Sequence, residues 1–166
     1  MDSKRISDYI KDPKNILLYH GTPGIGKSYM CAALIEWALM NFNHFRYYAE
    51  KDLLSKLRDG ISEDKGDYIK HLESLIDDDL VILDDVGSCI NPKQIQKRDL
   101  EWKREIFFNF LDIRYNNQLP TIITSNFSRK EFNDIFSPRI CSRLFAKENT
   151  IIEIFDENLD KRKHGF

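Results

Sequence analysis

A glycine-rich loop that ends in a lysine and a serine is the clearest chemical signal in this sequence. Residues 21–28 match the pattern G-x-x-x-x-G-K-S at every position. Glycines let a backbone wrap closely around phosphate oxygens, and consecutive N–H groups can point at one anion. The lysine can reach the outer phosphates, and the serine hydroxyl can bind Mg²⁺. The residues expected to bind the nucleotide are Gly21, Thr22, Pro23, Gly24, Ile25, Gly26, Lys27, Ser28 and Tyr29.

The segments on both sides of this loop have the character that the motif requires. The apolar run Ile16–Tyr19 precedes the loop and predicts a buried strand, and the apolar stretch Tyr29–Met40 follows it and predicts a helix. This order places the phosphates at a helix N-terminus, whose partial positive charge favours anions. A chance glycine-rich turn before a helix is the weaker interpretation of a complete match in this setting. The chain is therefore predicted to bind a nucleoside triphosphate.

Two acids at the end of a second buried strand complete the predicted site. The run Leu80–Leu83 is fully apolar and is followed by Asp84 and Asp85. A carboxylate at that place can hold Mg²⁺ while the ion bridges two phosphates, which is the role expected of Asp84. Asp85 points to the opposite side of the strand unless the chain turns there, in which case it can act as general base on an attacking water. The alternative is that both acids are surface charge.

Size and composition limit the class of protein. The chain has 166 residues, 42% hydrophobic and 31% charged, as expected for a single globular domain. Its net charge of −2 argues against a strongly basic surface that coats nucleic acid. No apolar run reaches the length of a membrane span, and no signal-peptide core follows the first residues, so a cytoplasmic protein is expected. The scattered cysteines are expected to be reduced, with Cys31 in the core.

Strands alternate with helices along the chain, which predicts parallel β-α units with right-handed crossovers. We expect an α/β fold with a five-stranded parallel sheet between helices, with residues 1–14 as a short helical extension and residues 15–166 as the core. The predicted helices are Ser3–Lys11, Tyr29–Met40, Glu50–Leu57 (ended by Gly60), Tyr68–Ile76 and Leu100–Ile113. The predicted strands are Ile16–Tyr19, Phe45–Tyr48, Leu80–Leu83, Thr121–Thr124 and Ile151–Ile154.

Four motifs in a fixed order carry a resemblance to a known family. They are the phosphate loop at residues 21–28, Leu80–Gly87 with its two acids, Leu119–Asn126 and Ser137–Leu144. This set resembles the AAA+ ATPases of the DnaC/DnaI helicase-loader and IstB-like group from residue 15 onward. The resemblance implies a P-loop NTPase core, with ATP and Mg²⁺ as cofactors and Ser28 and Asp84 at the metal.

The resemblance also implies roles for single residues in ATP hydrolysis. Asn126 matches the sensor-1 position, on a strand inserted beside the phosphate-loop strand, where its amide orients the hydrolytic water and reports the γ-phosphate. Arg143 matches the arginine finger, which acts on the nucleotide of the next subunit, so the isolated chain is expected to be a slow ATPase. Arg139 lies one helical turn earlier and can support it; surface salt bridges are the alternative for both arginines. The expected catalytic residues are Lys27, Asp85, Asn126 and Arg143.

The sequence departs from the family pattern in three places. Asp85 stands where many AAA+ proteins have glutamate, which favours slow hydrolysis. Little chain follows the fifth strand, so we expect no substantial C-terminal lid, with Arg162 as a weak substitute for its sensor-2 arginine. Few residues precede the first predicted strand, so we expect the N-terminal domain by which loaders bind their helicase to be missing, in either a minimal or a shortened protein.

The resemblance implies a loader that assembles on a replicative DNA helicase, or a transposition helper with a transposase as partner. Single-stranded DNA is a further expected partner, because Lys56, Arg58, Lys65, Tyr68 and Lys70 lie where related proteins carry a DNA-contacting insertion; a plain amphipathic helix is the alternative. Two other functions stay open: a non-hydrolysing, ATP-gated adaptor or inhibitor of a helicase, and a small phosphotransferase. No membrane partner is expected.

Overall fold

A computed structural model of the chain describes residues 2–63, 78–90 and 95–155. Within these ranges helices and strands alternate, as the sequence predicts. The helices are α1 Asp2–Lys11, α2 Lys27–Asn41, α3 Glu50–Glu63, α4 Lys97–Asn116, α5 Arg129–Glu131 and α6 Pro138–Leu144, with a π-helical turn at Phe132–Phe136 between the last two. The strands are β1 Ile16–Gly21, β2 Phe45–Ala49, β3 Leu80–Val86, β4 Thr121–Ser125 and β5 Thr150–Ile154.

The five strands form one parallel sheet in the order β2-β3-β4-β1-β5. This confirms the predicted five-stranded parallel sheet and the place of β4 beside the phosphate-loop strand β1, and it shows β3 on the other side of β4. Register pairs Tyr19 of β1 with Thr124 of β4, and Ala49 of β2 with Asp84 of β3. All carboxyl ends therefore lie at one edge of the sheet, which is where open parallel sheets bind their ligands.

Both faces of the sheet are covered, which explains why its central strands are almost continuously apolar. Alternate residues of each strand point to opposite faces. On one face, Leu18 and Leu83 pack with aromatic side chains of α4 and the π-helical turn, including Phe110. On the other face, Leu17 packs with α1 and with α2, where Leu34 is buried. The two layers hold the strand ends, and the loops that follow them, in fixed positions.

Helix α1 packs directly on this core. Tyr9 is 4% exposed, and its hydroxyl donates to the carbonyl of Asn15 at 3.2 Å. Arg5 Nη1 donates to the carbonyl of Ile151 in β5 at 2.7 Å. The predicted extension at residues 1–14 therefore packs against the strands of the core. The domain boundary at residue 15 stays a prediction.

The predicted end of one helix differs from the structure. Helix α3 continues through Gly60 to Glu63, so the predicted stop at this glycine is wrong. One glycine inside a helix costs about 1 kcal/mol relative to alanine, which a packed helix tolerates. The predicted helix Tyr68–Ile76 and the candidate Arg162 lie outside the described residues. Among the helices that the structure describes, none is long and apolar enough to cross a membrane.

Candidate nucleotide-binding site

The phosphate loop is fixed to the sheet by a position that only glycine can occupy. Gly21 has a φ of 153°, and a β-carbon there would lie 1.8 Å from the carbonyl oxygen of Ile154. Thr22 N donates to the same oxygen at 2.9 Å. Gly26, with a φ of 95°, caps the start of α2. The loop therefore leaves β1 close against β5 and turns directly into a helix N-terminus.

Lys27 lies inside the curve of this loop. Its ammonium donates to the carbonyl of Gly21 at 2.8 Å and to that of Thr22 at 2.9 Å, and the residue is only 8% exposed. An ammonium group carries three donors on a flexible stem. It can therefore exchange loop carbonyls for phosphate oxygens when an anion enters the loop.

A cleft of about 320 Å³ lies over the loop and the start of α2. This volume falls within the range of about 300–1,000 Å³ that ligand pockets usually have. Its lining brings the phosphate loop together with Asp85 and Asn126, which lie more than 50 residues after the loop in the sequence. The residues that line the cleft are Pro23, Gly24, Gly26, Lys27, Ser28, Tyr29, Asp85 and Asn126.

A β-bulge explains how both adjacent acids reach this edge of the sheet. Pairing between β3 and β4 runs in register up to Leu83 and shifts before Val86. Within the bulge, Asp85 has a φ of 59°, in the left-handed region that non-glycine residues seldom adopt. Strict alternation would turn Asp85 away from the cleft, and the bulge turns it back. The sequence predicts that Asp85 can act as general base only if the chain turns at this point. The bulge provides this turn.

Asp84 is buried beside the cleft and accepts hydrogen bonds on both carboxylate oxygens. Oδ1 accepts from the hydroxyl of Thr124 and from Cys31 Sγ, the latter at 3.5 Å, and Oδ2 accepts from the Tyr47 hydroxyl at 3.0 Å. Burial and the charge of Asp84 raise the pKa of Tyr47 to about 12, so its hydroxyl remains a donor. Thr124 Oγ1 also accepts from Asp85 N at 2.9 Å, which fixes the bulge.

Ser28 and Asp84 form a donor set that suits Mg²⁺. Cys31, which lies one turn after Ser28 on α2, contacts Asp84 and so joins the start of that helix to the end of β3. Hydroxyl and carboxylate oxygens are the ligands that Mg²⁺ prefers. Ser28 lines the cleft, whereas Asp84 is not among the lining residues and is 8% exposed.

Asn126 lies beside Asp85 in the lining of the cleft. Its Nδ2 donates to Asp85 Oδ1 at 2.8 Å. The preceding residue, Ser125, holds the ends of β3 and β4 together: its hydroxyl donates to the carbonyl of Val86 at 2.6 Å and accepts from Phe127 N at 3.0 Å. The predicted sensor position therefore lies beside the predicted general base.

The structure places Arg143 away from this cleft, in an ion pair within its own chain. Its Nε and Nη2 donate to Asp112 Oδ1 at 2.9 and 2.8 Å, and its guanidinium lies 5.5 Å from the centroid of the Tyr115 ring. Arg139 is exposed on the same helix, α6, as expected. The salt-bridge alternative thus describes Arg143 in the single chain, and a role at a neighbour's nucleotide stays a prediction.

The candidate DNA-contacting cations lie only partly within the described residues. Lys56 Nζ lies 5.0 Å from the centroid of the Tyr48 ring. Arg58 lies 5.1 Å from the Trp102 ring and 3.7 Å from a carboxylate oxygen of Asp99. Lys65, Tyr68 and Lys70 fall in the range 64–77, outside the described part of the chain.

Sequence reasoning missed three residues that hold the two acids. Tyr47, Thr124 and Cys31 donate to Asp84, and for Tyr47 and Cys31 nothing in the sequence indicates this contact. For Thr124 one signal exists, because a threonine that ends a strand beside an acidic strand end can reach the neighbouring carboxylate. Cys31 is buried at 2% exposure, which confirms its predicted place in the core.

A parallel sheet with β4 inserted between β3 and β1, a phosphate loop after β1 and acids at the bulge of β3 define a P-loop NTPase of the AAA+ type. Within that class the family is shown by sequence. The chain belongs to the IstB-like ATP binding protein family, whose model matches residues 1–147.

Characterised relatives and solved structures agree with this placement. The replicative helicase loader DnaC of Escherichia coli K12 is 21% identical over 127 residues, which cover 76% of this chain and 49% of that protein. The chain thus spans about half the length of the curated relatives it matches.

Structures of replication proteins share the fold. A crystal structure of the DnaC helicase loader has a TM-score of 0.70 at 23% identity, covering 89% of this chain and 85% of that one. DnaI has a TM-score of 0.70 at 22% identity, covering 92% and 84%. The replication initiator DnaA bound to AMPPCP and single-stranded DNA has a TM-score of 0.74 at 20% identity, covering 96% and 47%.

Proposed function

We propose that this chain binds Mg²⁺–ATP in the cleft over residues 21–28 and hydrolyses it slowly, as a subunit of a helicase-loader type of assembly. One observation carries the proposal: a single cleft joins the phosphate-binding Lys27 and Ser28 to the carboxylate of Asp85 and the amide of Asn126. The match to an ATP-binding family supports the choice of nucleotide.

The proposed hydrolysis assigns one task to each group. Lys27 neutralises charge on the outer phosphates, and the N–H groups of the loop bind their oxygens. Asp85 accepts the proton of the attacking water, which Asn126 orients through the same hydrogen-bonded pair. Ser28 and Asp84 are the residues that would hold Mg²⁺, which would neutralise phosphate charge when bound.

An arginine from a second subunit completes the proposed site. The cleft of a single chain is lined by residues of its own loop and strand ends, with Lys27 as its cation. Arg143 lies in an ion pair at about one-third exposure, so it is accessible to a neighbour. A guanidinium supplied in trans is suited to the charge that develops on a transferring phosphoryl group. The proposal therefore includes nucleotide-dependent self-assembly.

A replicative DNA helicase is the proposed partner, and single-stranded DNA the proposed substrate of the assembly. Similarity to DnaC, named as a replicative helicase loader, supports the first. The fold shared with DnaA bound to single-stranded DNA supports the second. Lys56 and Arg58 of α3, each of which lies over an aromatic ring, are proposed to contact the DNA. Such a protein works in the cytoplasm, where bacterial DNA is replicated.

The family match also favours a second candidate, a transposition helper of the IstB-like group with a transposase as its partner. A third, the ATP-gated adaptor that binds without turnover, shares the cleft and lacks only hydrolysis. Capture of partners by the purified chain in the ATP state separates a helicase from a transposase. A turnover assay with single-stranded DNA separates both from the adaptor.

Titration with a fluorescent ATP analogue tests the proposed site. Lys130→Ala, which removes an exposed lysine on α5, is the control and should bind the analogue as tightly as the wild type. Lys27→Ala should reduce the affinity at least about 100-fold, because a buried contact between charge and phosphate is lost. Equal binding by Lys27→Ala, or no binding by the wild type with Mg²⁺ present, would contradict the proposal.

A further inference from the structure

His20 is a fully buried histidine directly before the phosphate loop, and the proposed hydrolysis does not use it. It is the penultimate residue of β1, directly before Gly21, and its relative exposure is 0%. Its Nδ1 lies 2.9 Å from the carbonyl oxygen of Phe127, the residue after Asn126. Because a carbonyl oxygen can only accept, Nδ1 must carry the proton and donate. One hydrogen bond therefore connects the start of the phosphate loop to the residue that follows the predicted sensor.

Phe127 is held from a second side by the end of β3. Gly87 follows the bulge with a φ of 94°, and a β-carbon there would lie 2.5 Å from Cε2 of the Phe127 ring. The ring thus occupies the space above this glycine. Phe127 contacts the ends of both β1 and β3, and Asn126, the residue before it, is fixed between these contacts and its bond to Asp85.

The imidazole of His20 has little freedom to leave this bond. It makes edge contacts with Phe132, Phe145 and Phe155, with ring centroids 6.4, 5.3 and 5.4 Å away. Its Nε2 points towards Glu153 of β5, whose nearest carboxylate oxygen is 4.0 Å away. Burial is the main cause that lowers the pKa of His20, which keeps the ring neutral with one donor nitrogen.

We propose that His20 is a positioning residue that holds Asn126 in place opposite the phosphate loop, so that the chain distinguishes ATP from ADP. The inference rests on the proposed function, since only a bound triphosphate extends to Asn126. His20 fixes the Phe127 carbonyl and thereby the backbone that carries the Asn126 amide. Loss of the donor lets the corner after β4 shift, and contact with the γ-phosphate weakens while the contacts of the α- and β-phosphates with the loop remain.

Paired substitutions separate this role from simple packing. His20→Phe keeps a ring among the surrounding phenylalanines but removes the donor, and His20→Asn supplies an amide N–H near the place of Nδ1. The measurement is the ratio of the dissociation constants for ADP and AMPPNP, obtained by competition with a fluorescent ADP analogue at pH 7.5. We expect the wild type to bind AMPPNP more tightly than ADP. In His20→Phe, as in Asn126→Ala, the ratio of the two dissociation constants should fall by about tenfold. His20→Asn should keep the wild-type ratio.

Affinity for ADP and the urea midpoint serve as the controls, because a merely structural defect would weaken both nucleotides together. His20→Leu, which is smaller than phenylalanine and also lacks a donor, replaces His20→Phe if the latter does not fold. The inference is overturned if the variants without a donor, or Asn126→Ala, keep the wild-type ratio of the two dissociation constants. It is also overturned if these variants lose as much affinity for ADP as for AMPPNP. No binding of AMPPNP by the wild type instead contradicts the proposed function.

Discussion

The amide of Asn126 donates a hydrogen bond of 2.8 Å to the carboxylate of Asp85, and both side chains line the same cleft as the phosphate loop. The bond crosses from β4 to the bulge of β3. Each partner therefore sets the orientation of the other. A carboxylate fixed by an amide in this way can accept a proton from a water that the same pair positions.

Replacement of Asp85 by asparagine is expected to separate binding from turnover. The amide oxygen still accepts from Asn126, but an amide cannot take a proton from water. We expect ATP affinity to stay within about threefold while turnover falls by at least about 100-fold, the usual contribution of a general base. Glu105→Gln, which changes an exposed acid on α4, is the control. Normal phosphate release by Asp85→Asn would exclude it as the base.

Removal of Arg143 is expected to affect only the assembled protein. In the single chain its guanidinium contacts Asp112 and not the cleft, so Arg143→Ala should bind ATP like the wild type. Turnover stimulated by assembly, DNA or the partner should fall by about 10³-fold, the lower value for arginine fingers supplied in trans. Lys147→Ala, an exposed lysine just beyond α6, is the control. Full stimulation of Arg143→Ala would show that this arginine is not the finger.

Tyr47→Phe is expected to change the dependence of nucleotide binding on Mg²⁺. The substitution deletes the hydroxyl that donates to Asp84 at 3.0 Å and leaves the ring in place. Loss of such a partner behind a metal ligand typically weakens metal affinity by about 10-fold to 100-fold. The Mg²⁺ concentration at half-maximal ATP binding should rise by about tenfold. Tyr115→Phe, a tyrosine of α4, should leave it unchanged; the same result for Tyr47→Phe would contradict the role of this hydroxyl.

Stability is expected to fall below about pH 6.5, the ordinary pKa of histidine, because of His20. Burial lowers its pKa in the folded chain, so below that pH the unfolded chain binds a proton that the folded chain does not. The contribution of His20 to the free energy of unfolding is complete above the pKa of the histidine in the unfolded chain. It is lost as the pH falls towards the pKa in the folded chain, by up to about 1.4 kcal/mol per pH unit.

Urea denaturation between pH 7.5 and pH 5.5 measures this effect. Other groups titrate in the same interval, including Glu50, whose pKa burial raises. The difference between the wild type and His20→Phe isolates the histidine, and it should shrink steadily as the pH is lowered. A difference that does not change with pH would show that His20 is protonated as readily in the folded chain as in the unfolded chain.

The strands and the phosphate loop follow from local sequence patterns, whereas the place of β4 beside β1 follows only from the family resemblance. Apolar runs at β1, β3 and β4 are long and uninterrupted, and a complete loop motif fixes which of them precedes α2. The helical segment from Arg129 to Leu144 was harder to predict because it is built from three short elements. Its π-helical turn at Phe132–Phe136 is stabilised by packing of aromatic rings rather than by propensity.

The candidate site was predictable as far as motifs extend. Asp84, Asp85 and Asn126 each end or follow a buried strand, which indicates one edge of the sheet. The bulge at Asp85 is not visible in the sequence, because it depends on a hydrogen bond from its N–H to Thr124 of another strand. The hydroxyl of Tyr47 and the imidazole of His20 likewise act through tertiary contacts, and their neighbours in sequence give no sign of them.

A crystal structure of the chain with Mg²⁺ and AMPPNP would show where the triphosphate lies relative to Asp85 and Asn126. We expect the triphosphate to lie in the loop of residues 21–28, with its γ-phosphate within hydrogen-bond distance of Lys27 and Asn126. We expect Mg²⁺ beside Ser28, on the side of Asp84. A nucleotide bound elsewhere, or one whose γ-phosphate points away from Asn126 and Asp85, would contradict this expectation.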